Sequence, residues 1–382
     1  MQDDIAILSA WSFSYDGKSY YTSQTHYHYI KEITKYCRKV WLIVPVKNVT
    51  SIPLSQVKIE PVNINVIALP YFETYLGGVR NIYKIIRAIL KVKGECDNFY
   101  ARVPDPLCWM PWFLRCRNVT MHFVGSSVHA TWHSTLPIWT KICKLVLYLP
   151  EYLMTLLAAK FCNVYVNGSP IHKVLMKYKI KSTVVISSTI TIDNILEEKP
   201  EYSDCRAIRL LYVGYLRPAK GVEKIVSCLP YLEESGIDYH LDIVGSGVSE
   251  SRLQQMVSDL GLCSKVTFHG HIDDKAILQC LYNNSDMFLF MSSSEGSPRV
   301  VLEAIAAQNI VITTPVGSLP SIFSDEREIL FVDPTSESLA KKIIHVLANH
   351  QFYLNSSLRA QAKVRDSFLL PKFIKQVFLN DA

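Results

Sequence analysis

Short apolar runs alternate along the chain with segments in which apolar residues recur every three or four positions. The short runs are typical of buried strands, and the spaced segments are typical of amphipathic helices. Helical patterns in the first half include Val79–Lys91, Ile138–Lys160 and Ile171–Lys177. The strands predicted there are Ile5–Ser9, Val40–Val46, Ile64–Leu69, Asn98–Arg102, Val119–Val124, Cys162–Asn167 and Val184–Ser187. This alternation predicts an α/β fold with a parallel sheet covered by helices.

The polar, acidic stretch Asp193–Asp204 interrupts the pattern, which then restarts more regularly. The strands predicted after it are Ile208–Val213, His240–Val244, Val266–His269, Met287–Phe290, Ile310–Thr313 and Ile329–Val332. The helices predicted between them are Val222–Leu229, Glu250–Leu260, Lys275–Asn283, Val300–Gln308 and Ser336–Asn349. We interpret 193–204 as a linker between two doubly wound, Rossmann-like domains, residues 1–198 and 199–368. Two such domains leave a cleft faced by strand carboxyl ends, where ligands of this fold class bind.

A length of 382 residues agrees with two domains, because one hydrophobic core rarely organises so long a chain. The net charge of +6 is uneven: residues 1–198 carry 22 Lys and Arg against 13 Asp and Glu, and 199–382 carry 18 against 21. A basic first half could meet nucleic acid, anionic lipid or a phosphorylated substrate, or could be ordinary surface charge. No basic motif supports a nucleic-acid partner, so none is expected.

The ten cysteines are scattered without a C-x-x-C pair, which indicates reduced core thiols in a cytoplasmic protein. The start MQDDIAILSA is acidic where a signal peptide would be basic. The apolar segment Leu145–Ala159 is interrupted by Pro150 and Glu151, so we do not expect a membrane span, although it could lie on a membrane surface. The histidines are not spaced as a metal set: His26, His28, His129 and His133. No metal or cofactor is expected.

The segment Ser294–Ala304, SEGSPRVVLEA, holds two carboxylates eight residues apart after a predicted strand. Glu295 lies in the loop and can accept hydrogen bonds from sugar hydroxyls. Glu303 lies in the helix and can reach the vicinal hydroxyls of a ribose. Between them the helix begins, and its free N–H groups suit a diphosphate. The alternative is an acid complementing the helix dipole and a solvated Glu303, but an unpaired charge within VVLEAIAA would be costly.

The segment Leu211–Gly221, LYVGYLRPAKG, places Arg217 and Lys220 between a predicted strand and a helix. Fixed cations there can stabilise the charge of a leaving diphosphate in place of a metal. The alternative is a solvated pair of loop cations.

These two segments resemble the retaining glycosyltransferases of GT-B architecture, the large group 1 family that includes sucrose synthases and bacterial polysaccharide transferases. EGSPRVVLEA is similar to the family's E-x7-E signature, and Lys220 and Gly221 fall on its K-G. Three departures are visible: Ser297 replaces an aromatic residue, Tyr215 replaces an arginine, and SSTITID replaces a P-N-G turn. Arg217 is a candidate substitute for that arginine.

The resemblance implies roles for further residues. Glu295, Lys220, Arg217 and His122 would be catalytic, although a lone histidine in an apolar strand is commonly a core residue. The donor would be bound by Glu303, Gly296, Ser297, Pro298, Arg299, Val300, Gly214, Gly245 and Ile272. The acceptor side would include Gly17, Arg102 and Gly125. A final helix, with Lys372–Phe378 as its candidate within 369–382, would cross back to the first domain.

The resulting hypothesis is a metal-independent, retaining transfer of a sugar from a nucleotide sugar to a saccharide or lipid-linked saccharide, in cell-surface polysaccharide synthesis. The basic first domain would make peripheral contact with the inner face of the membrane. Two alternatives remain open: an epimerase or hydrolase of the same fold, and a non-catalytic sugar-nucleotide-binding subunit.

Overall fold

The computed structural model describes residues 4–53, 56–60, 63–72, 74–132, 136–199 and 207–379, with the backbone alone for His129 and Ala130. The described residues form two compact units. The first comprises those up to Thr189 together with those from Leu370 onward, and the second is Ile190–Leu369.

The first unit is built on one sheet. Its strands are β1 (Ile5–Leu8), β2 (Phe13–Tyr15), β3 (Tyr20–Ser23), β4 (Val40–Asn48), β5 (Gln56–Lys58), β6 (Ile64–Pro70), β7 (Asn98–Val103), β8 (Asn118–Phe123), β9 (Asn163–Asn167) and β10 (Thr183–Val185). Its helices before residue 190 are α1 (Gln24–Ile33), α2 (Tyr75–Arg80), α3 (Ile82–Lys93), α4 (Met110–Phe113), α5 (Ser127–Trp132), α6 (Ile138–Ala159) and α7 (Ser169–Lys177). The predicted helix Val79–Lys91 is therefore divided at Asn81.

The parallel strands of this sheet run in the order β6–β4–β1–β7–β8–β9–β10. This order reverses between β1 and β7, as in a Rossmann fold. Strands β2, β3 and β5 extend the sheet beside β4, and β2 and β3 form an antiparallel hairpin. The hydrophobic pattern predicted none of these three strands, because strands of three or four residues are too short to show a clear period of two.

The second unit contains a sheet whose strands are all parallel. They are β11 (Ile208–Val213), β12 (Tyr239–Val244), β13 (Val266–Gly270), β14 (Met287–Phe290), β15 (Ile310–Thr313) and β16 (Leu330–Phe331), in the order β13–β12–β11–β14–β15–β16. Its helices are α8 (Val222–Glu234), α9 (Glu250–Asp259), α10 (Lys275–Asn284), α11 (Arg299–Ala306), α12 (Leu319–Ile322), α13 (Ser336–Ala348) and α14 (His350–Ser367). This is again the Rossmann order, and the two units confirm the α/β fold class.

The last helix, α15 (Leu370–Phe378), belongs to the first unit and packs against α1 and β8. Phe378 stacks on the buried ring of Tyr100, with 4.2 Å between the ring centroids. Phe373 contacts Tyr29 of α1 and His122 of β8. The chain therefore returns to the first unit after completing the second.

The unit boundary lies at 189/190 rather than at 198/199, and the described part of the predicted linker is bound to the second unit. The Leu196 N–H donates to the Ala306 carbonyl at 2.9 Å, and Gln308 and Gln361 donate through Nε2 to the Leu196 carbonyl, each at 2.8 Å. The polar, acidic composition indicated a linker, but these hydrogen bonds to the backbone of Leu196 hold the segment on the second unit. Residues 200–204 lie outside the described residues.

Helix α6 runs without a break through Pro150, at which the sequence suggested an interruption. Glu151, on the next position, is buried and accepts from the Leu107 N–H at 2.8 Å and from Trp109 Nε1 at 2.9 Å. These bonds tie α6 to the rest of the first unit. Among the described residues, α6 is the helix whose length and composition would allow it to cross a membrane, and 28% of its apolar window is buried.

The nine cysteines within the described residues are free thiols, and most lie in or near the core. The prediction of core thiols is wrong for Cys143, Cys263 and Cys280, which are exposed on helices or turns. Cys205 lies outside the described residues.

Candidate functional site

The loops that follow β11 and β14 meet at the carboxyl edge of the second sheet, where the strand order reverses. The Ser293 N–H donates to the Ala219 carbonyl at 2.9 Å, and Ser292 Oγ donates to the same carbonyl at 3.2 Å. Ligands of doubly wound sheets bind at this reversal point. The two segments singled out in the sequence therefore lie in contact.

Lys220 and Glu295 form an ion pair between these loops. The two side chains are only 12% and 14% exposed, so little water screens the pair. Ser292 Oγ donates to Glu295 Oε1 at 2.9 Å, and Lys220 Nζ lies 5.6 Å from the ring centroid of Phe290. The pair thus has a defined position at the carboxyl edge of the sheet.

Two close backbone approaches shape the surrounding loops. Gly221 is the N-cap of α8 with φ = +69°, and a Cβ atom there would lie 2.2 Å from the Met291 carbonyl oxygen. Gly245 has φ = +131°, and a Cβ atom there would lie 2.0 Å from the Gly214 carbonyl oxygen. Only glycine allows both the left-handed conformation and the approach. The predicted donor residues Gly214 and Gly245 therefore lie side by side.

Helix α11 carries the second carboxylate. Glu303 is half-buried, and the hydroxyl of the buried Tyr282 of α10 donates to its Oε2 atom at 3.1 Å. The helix begins at Arg299 after Pro298, which supplies no side-chain cap to its N–H groups. Gly296 accepts from the Ser318 N–H at 2.9 Å, which fixes the turn before the helix. Ser297 and Val300 are half-buried, and Pro298 is buried.

Arg217 is exposed and lies close enough to Tyr212 to affect its ionisation. Burial raises the pKa of Tyr212, the Glu295 carboxylate raises it further, and the Arg217 guanidinium lowers it. Arg217 and Glu295 are thus near the same phenol. The side chain of Tyr215, which stands at the family's arginine position, is 72% exposed. Ile272 is half-buried in the loop after β13.

Sequence reasoning missed Lys275, the first residue of α10. Burial of its ammonium lowers the pKa of Lys275, while the Glu303 carboxylate opposes this shift and Arg299 adds to it. Lys275 therefore lies in the field of both α11 residues. It belongs to no motif, because the contact depends on how two helices pack.

In the first unit, Asp105 holds together the loops after β1 and β7. It accepts from Ser9 Oγ at 2.8 Å, from the Ala10 N–H at 2.7 Å and from Arg102 at 2.6 Å. Arg102, predicted to face the acceptor, lies in β7 and is paired with Asp105 in the loop that follows it. Asp105 was not predicted, although an acid just after the strand ARV was a usable signal.

His122, predicted to be catalytic, lies in the core of the first unit and is only 2% exposed. Its Nδ1 atom bonds to the Tyr100 hydroxyl at 2.9 Å, and Phe373 of α15 covers the ring. Burial, helped by Arg102, lowers the pKa of His122 to about 3, so the ring is neutral. This placement agrees with the core alternative and corrects the catalytic assignment.

Gly17 lies at the tip of the β2–β3 hairpin with φ = +94°, where Asp16 Oδ1 accepts from the Lys18 and Ser19 N–H groups. Gly17, predicted to lie on the acceptor side, is thus the turn residue of this hairpin. Gly125 follows β8 in a loop at the carboxyl edge of the first sheet. Within the part of the chain that the structure describes, no cluster of three His, Cys, Asp or Glu residues could hold a metal.

Two Rossmann-like units in one chain, with the last helix returning to the first unit, are the features of the GT-B class of fold. The structure matches a sucrose-phosphate synthase from Thermosynechococcus elongatus with a TM-score of 0.70 at 16% identity, covering 98% of this chain and 97% of that one. It matches Anabaena HepE in complex with UDP and glucose with a TM-score of 0.68 at 16% identity, covering 100% and 99%. At this identity the likeness establishes the fold.

Residues 197–365 match the model of the family described as glycosyl transferases group 1. Among curated relatives, an uncharacterised glycosyltransferase of Haemophilus influenzae is 26% identical over 212 residues, or 55% of this chain. The alignment spans 59% of that relative, so the chain matches little more than half of its length. The matched family segment contains Lys220, Glu295 and Glu303.

Proposed function

We propose that the protein is a glycosyltransferase that binds a nucleotide-sugar donor in its second unit. The observation that carries the proposal is the shielded Lys220–Glu295 pair at the reversal point of the sheet, within a group 1 family segment. The ammonium of Lys220 held there suits a diphosphate, and the carboxylate of Glu295 suits a sugar hydroxyl. HepE, which has the same fold, binds UDP and glucose.

In this proposal the diphosphate is held by Lys220, Arg217 and the free N–H groups at the start of α11. Glu303 accepts from the ribose hydroxyls, and Glu295 accepts from a hydroxyl of the sugar. Cations already in place when the leaving diphosphate gains charge stabilise the transition state more than the ground state. This role requires no protein-bound metal.

Retention of configuration is proposed from the resemblance to the E-x7-E enzymes. The acceptor then attacks the face from which the diphosphate departs, and the leaving phosphate takes the acceptor proton. A saccharide or lipid-linked saccharide acceptor, used in cell-surface polysaccharide synthesis, fits the same family and the basic first unit.

The donor site is tested by calorimetric binding of UDP, GDP and ADP to the wild type, Lys220→Met and Glu303→Gln. Lys341→Met is the matched control, because Lys341 is an exposed lysine of α13 paired only with Glu337. We expect one nucleotide to bind the wild type and the control equally. Loss of a hydrogen bond to a charged group should weaken the two site variants about ten- to a hundredfold.

If no nucleotide binds the wild type, the transferase proposal fails and the non-catalytic alternative gains support only if a free sugar binds. Incubation with the matching nucleotide sugar separates the remaining alternatives. Release of free sugar without any acceptor indicates a hydrolase, and conversion of the sugar into an epimer indicates an epimerase. The proposal is supported if the sugar is transferred to an added saccharide and NMR of the product shows that the anomeric configuration is retained.

Membrane contact is proposed for the outer face of α6. Apolar residues at intervals of three and four positions are exposed along it: Trp139, Ile142, Val146, Leu149, Leu153 and Leu157. Trp139 is 76% exposed, Lys141 and Lys144 lie on the same helix, and its one acid, Glu151, is buried. An apolar, aromatic and cationic surface without exposed acids suits an anionic membrane interface.

This contact is tested by co-sedimentation with vesicles of phosphatidylcholine alone or with added phosphatidylglycerol. Trp139→Ser combined with Leu149→Ser should reduce binding to anionic vesicles at least about tenfold, because two large exposed apolar groups are lost. Val248→Ser is the control, because Val248 is 89% exposed in the second unit. Binding that is indifferent to anionic lipid and to salt contradicts the proposal.

A further inference from the structure

The first residues of α10 and α11 lie at the same edge of the second sheet. Helix α10 follows β13 and α11 follows β14, and both strands belong to the parallel set. Parallel strands end at one edge, so both helices begin at the edge where the Lys220–Glu295 pair lies. Lys275 is the first residue of α10, and Arg299 is the first residue of α11.

The facing sides of these helices can be assigned from one contact. The Tyr282 hydroxyl of α10 donates to Glu303 of α11 at 3.1 Å, so these residues lie on facing sides. Lys275 is seven residues before Tyr282, which is two helical turns on the same side of α10. Arg299 is four residues before Glu303, one turn away on the same side of α11. The helices therefore place two cations at the N-terminal end of the α10–α11 contact that includes Glu303.

The ammonium of Lys275 lies near one carboxylate, that of Glu303, and one guanidinium, that of Arg299. Neighbouring protein atoms lower the pKa of Lys275, and of the charged groups near it Glu303 opposes this shift and Arg299 favours it. Within residues 207–379 and the other described ranges, the Lys275 side chain makes no hydrogen bond or ion pair. Lys275 is exposed, so a ligand can reach its ammonium, and a cation that lies near a carboxylate without bonding to it can share a ligand hydroxyl with that carboxylate.

We infer that Lys275 is a further donor-binding residue, which shares one ribose hydroxyl with Glu303. A hydroxyl can donate to a carboxylate and at the same time accept from an ammonium, so it satisfies both charged groups. A nucleotide that lacks this hydroxyl leaves both charges without that partner. Lys275 therefore makes the second unit select ribonucleotides over deoxyribonucleotides. This inference rests on the proposed donor site and adds a residue outside its motifs.

The test measures the ratio of dissociation constants for a ribonucleoside diphosphate and its 2′-deoxy and 3′-deoxy counterparts. UDP, GDP and ADP, with their deoxy forms, are titrated into the wild type, Lys275→Met, Lys275→Arg and Glu303→Gln, with Lys341→Met as the control. For the wild type and the control, we expect at least one deoxy form to bind about ten- to a hundredfold more weakly. Lys275→Met should reduce that ratio at least about threefold, and Glu303, which still accepts from the hydroxyl, should keep the remainder. Lys275→Arg should keep most of it.

The outcomes separate the two proposals. If no ribonucleotide binds the wild type, the donor site and this inference both fail. If Glu303→Gln abolishes the preference for ribose while Lys275→Met keeps it in full, the donor site stands and this inference is wrong. Weaker binding of all nucleotides to Lys275→Met at an unchanged ratio also overturns it, because Lys275 would then act only as a general positive charge. Unchanged thermal unfolding midpoints establish that each variant is folded.

Discussion

The close approach of α8 to the loop after β14 can be tested with two glycines that flank the helix. Gly221 precedes α8 and Gly236 follows it, and both have φ = +69°. A Cβ atom on Gly221 would lie 2.2 Å from the Met291 carbonyl oxygen, whereas a Cβ atom on Gly236 would have no heavy atom within 4 Å. The two alanine variants therefore share the cost of the left-handed conformation and differ in the steric clash.

The magnitudes follow from these two costs. An alanine in the left-handed region costs about 1–2 kcal/mol, which is the whole expected effect of Gly236→Ala. In Gly221→Ala the backbone at Met291 must also move, which adds about 1–3 kcal/mol, as overpacking of a tight site does. We therefore expect destabilisation by about 2–5 kcal/mol for Gly221→Ala. The backbone shift would also displace Ser292 and Glu295, so nucleotide binding should weaken.

The free energy of unfolding is measured by urea titration, with hydrogen exchange of β11 and α8 reporting on the second unit specifically. Nucleotide affinity is measured on the same samples. Equal destabilisation of the two variants, with unchanged affinity in Gly221→Ala, would show that the loop yields without cost. The close approach would then not be what fixes the position of Glu295.

Three further outcomes follow from other contacts. Asp105→Asn should destabilise the first unit by about 1–3 kcal/mol in urea unfolding, because three donors lose a carboxylate acceptor. The control Asp97→Asn, which removes the exposed ion pair with Arg117, should change the stability little. Because the unfolded state binds a proton at His122 and the folded state does not, the free energy of unfolding should fall as the pH is lowered from 6.5 toward the pKa of about 3. The decrease should be up to about 1.4 kcal/mol per pH unit, and His122→Gln should lack this contribution. Tyr282→Phe should weaken nucleotide binding severalfold in calorimetry, because it removes one hydrogen bond that positions Glu303.

The strands of the second unit could be predicted closely. Ile208–Val213, Met287–Phe290 and Ile310–Thr313 have the same limits in the sequence analysis and in the structure. Strands buried on both faces are continuous apolar runs, and such runs are visible in a single sequence. Their order in the sheet could be anticipated only by assuming a Rossmann fold.

Helix α14 was not predicted, because its buried side is partly polar. Ser356, Ser357 and Gln361 are buried, and Gln361 Nε2 donates to the Leu196 and Ala306 carbonyls, each at 2.8 Å. Hydrogen bonds to distant backbone groups compensate the burial of these polar groups. An analysis of hydrophobic periodicity cannot detect a helix that is held in this way.

The two units use the same arrangement at the reversal point of their sheets. In the first unit, Asp105 in the loop after β7 accepts from Ser9 and Ala10 in the loop after β1. In the second, Glu295 in the loop after β14 pairs with Lys220 in the loop after β11. In each sheet the two strands are neighbours, so residues 96 and 75 positions apart meet.

The partners of the two carboxylates distinguish their roles. Asp105 is only 7% exposed and bonds to a backbone N–H, a hydroxyl and an arginine of the strand before its loop, so it joins the loops structurally. Glu295 bonds to one lysine and one hydroxyl, and a phosphate or a sugar hydroxyl could compete for either partner. The strand order therefore brings a carboxylate to both reversal points, but only in the second unit do its partners suit exchange with a ligand. This difference, rather than the motif alone, is the physical reason for placing donor binding in the second unit.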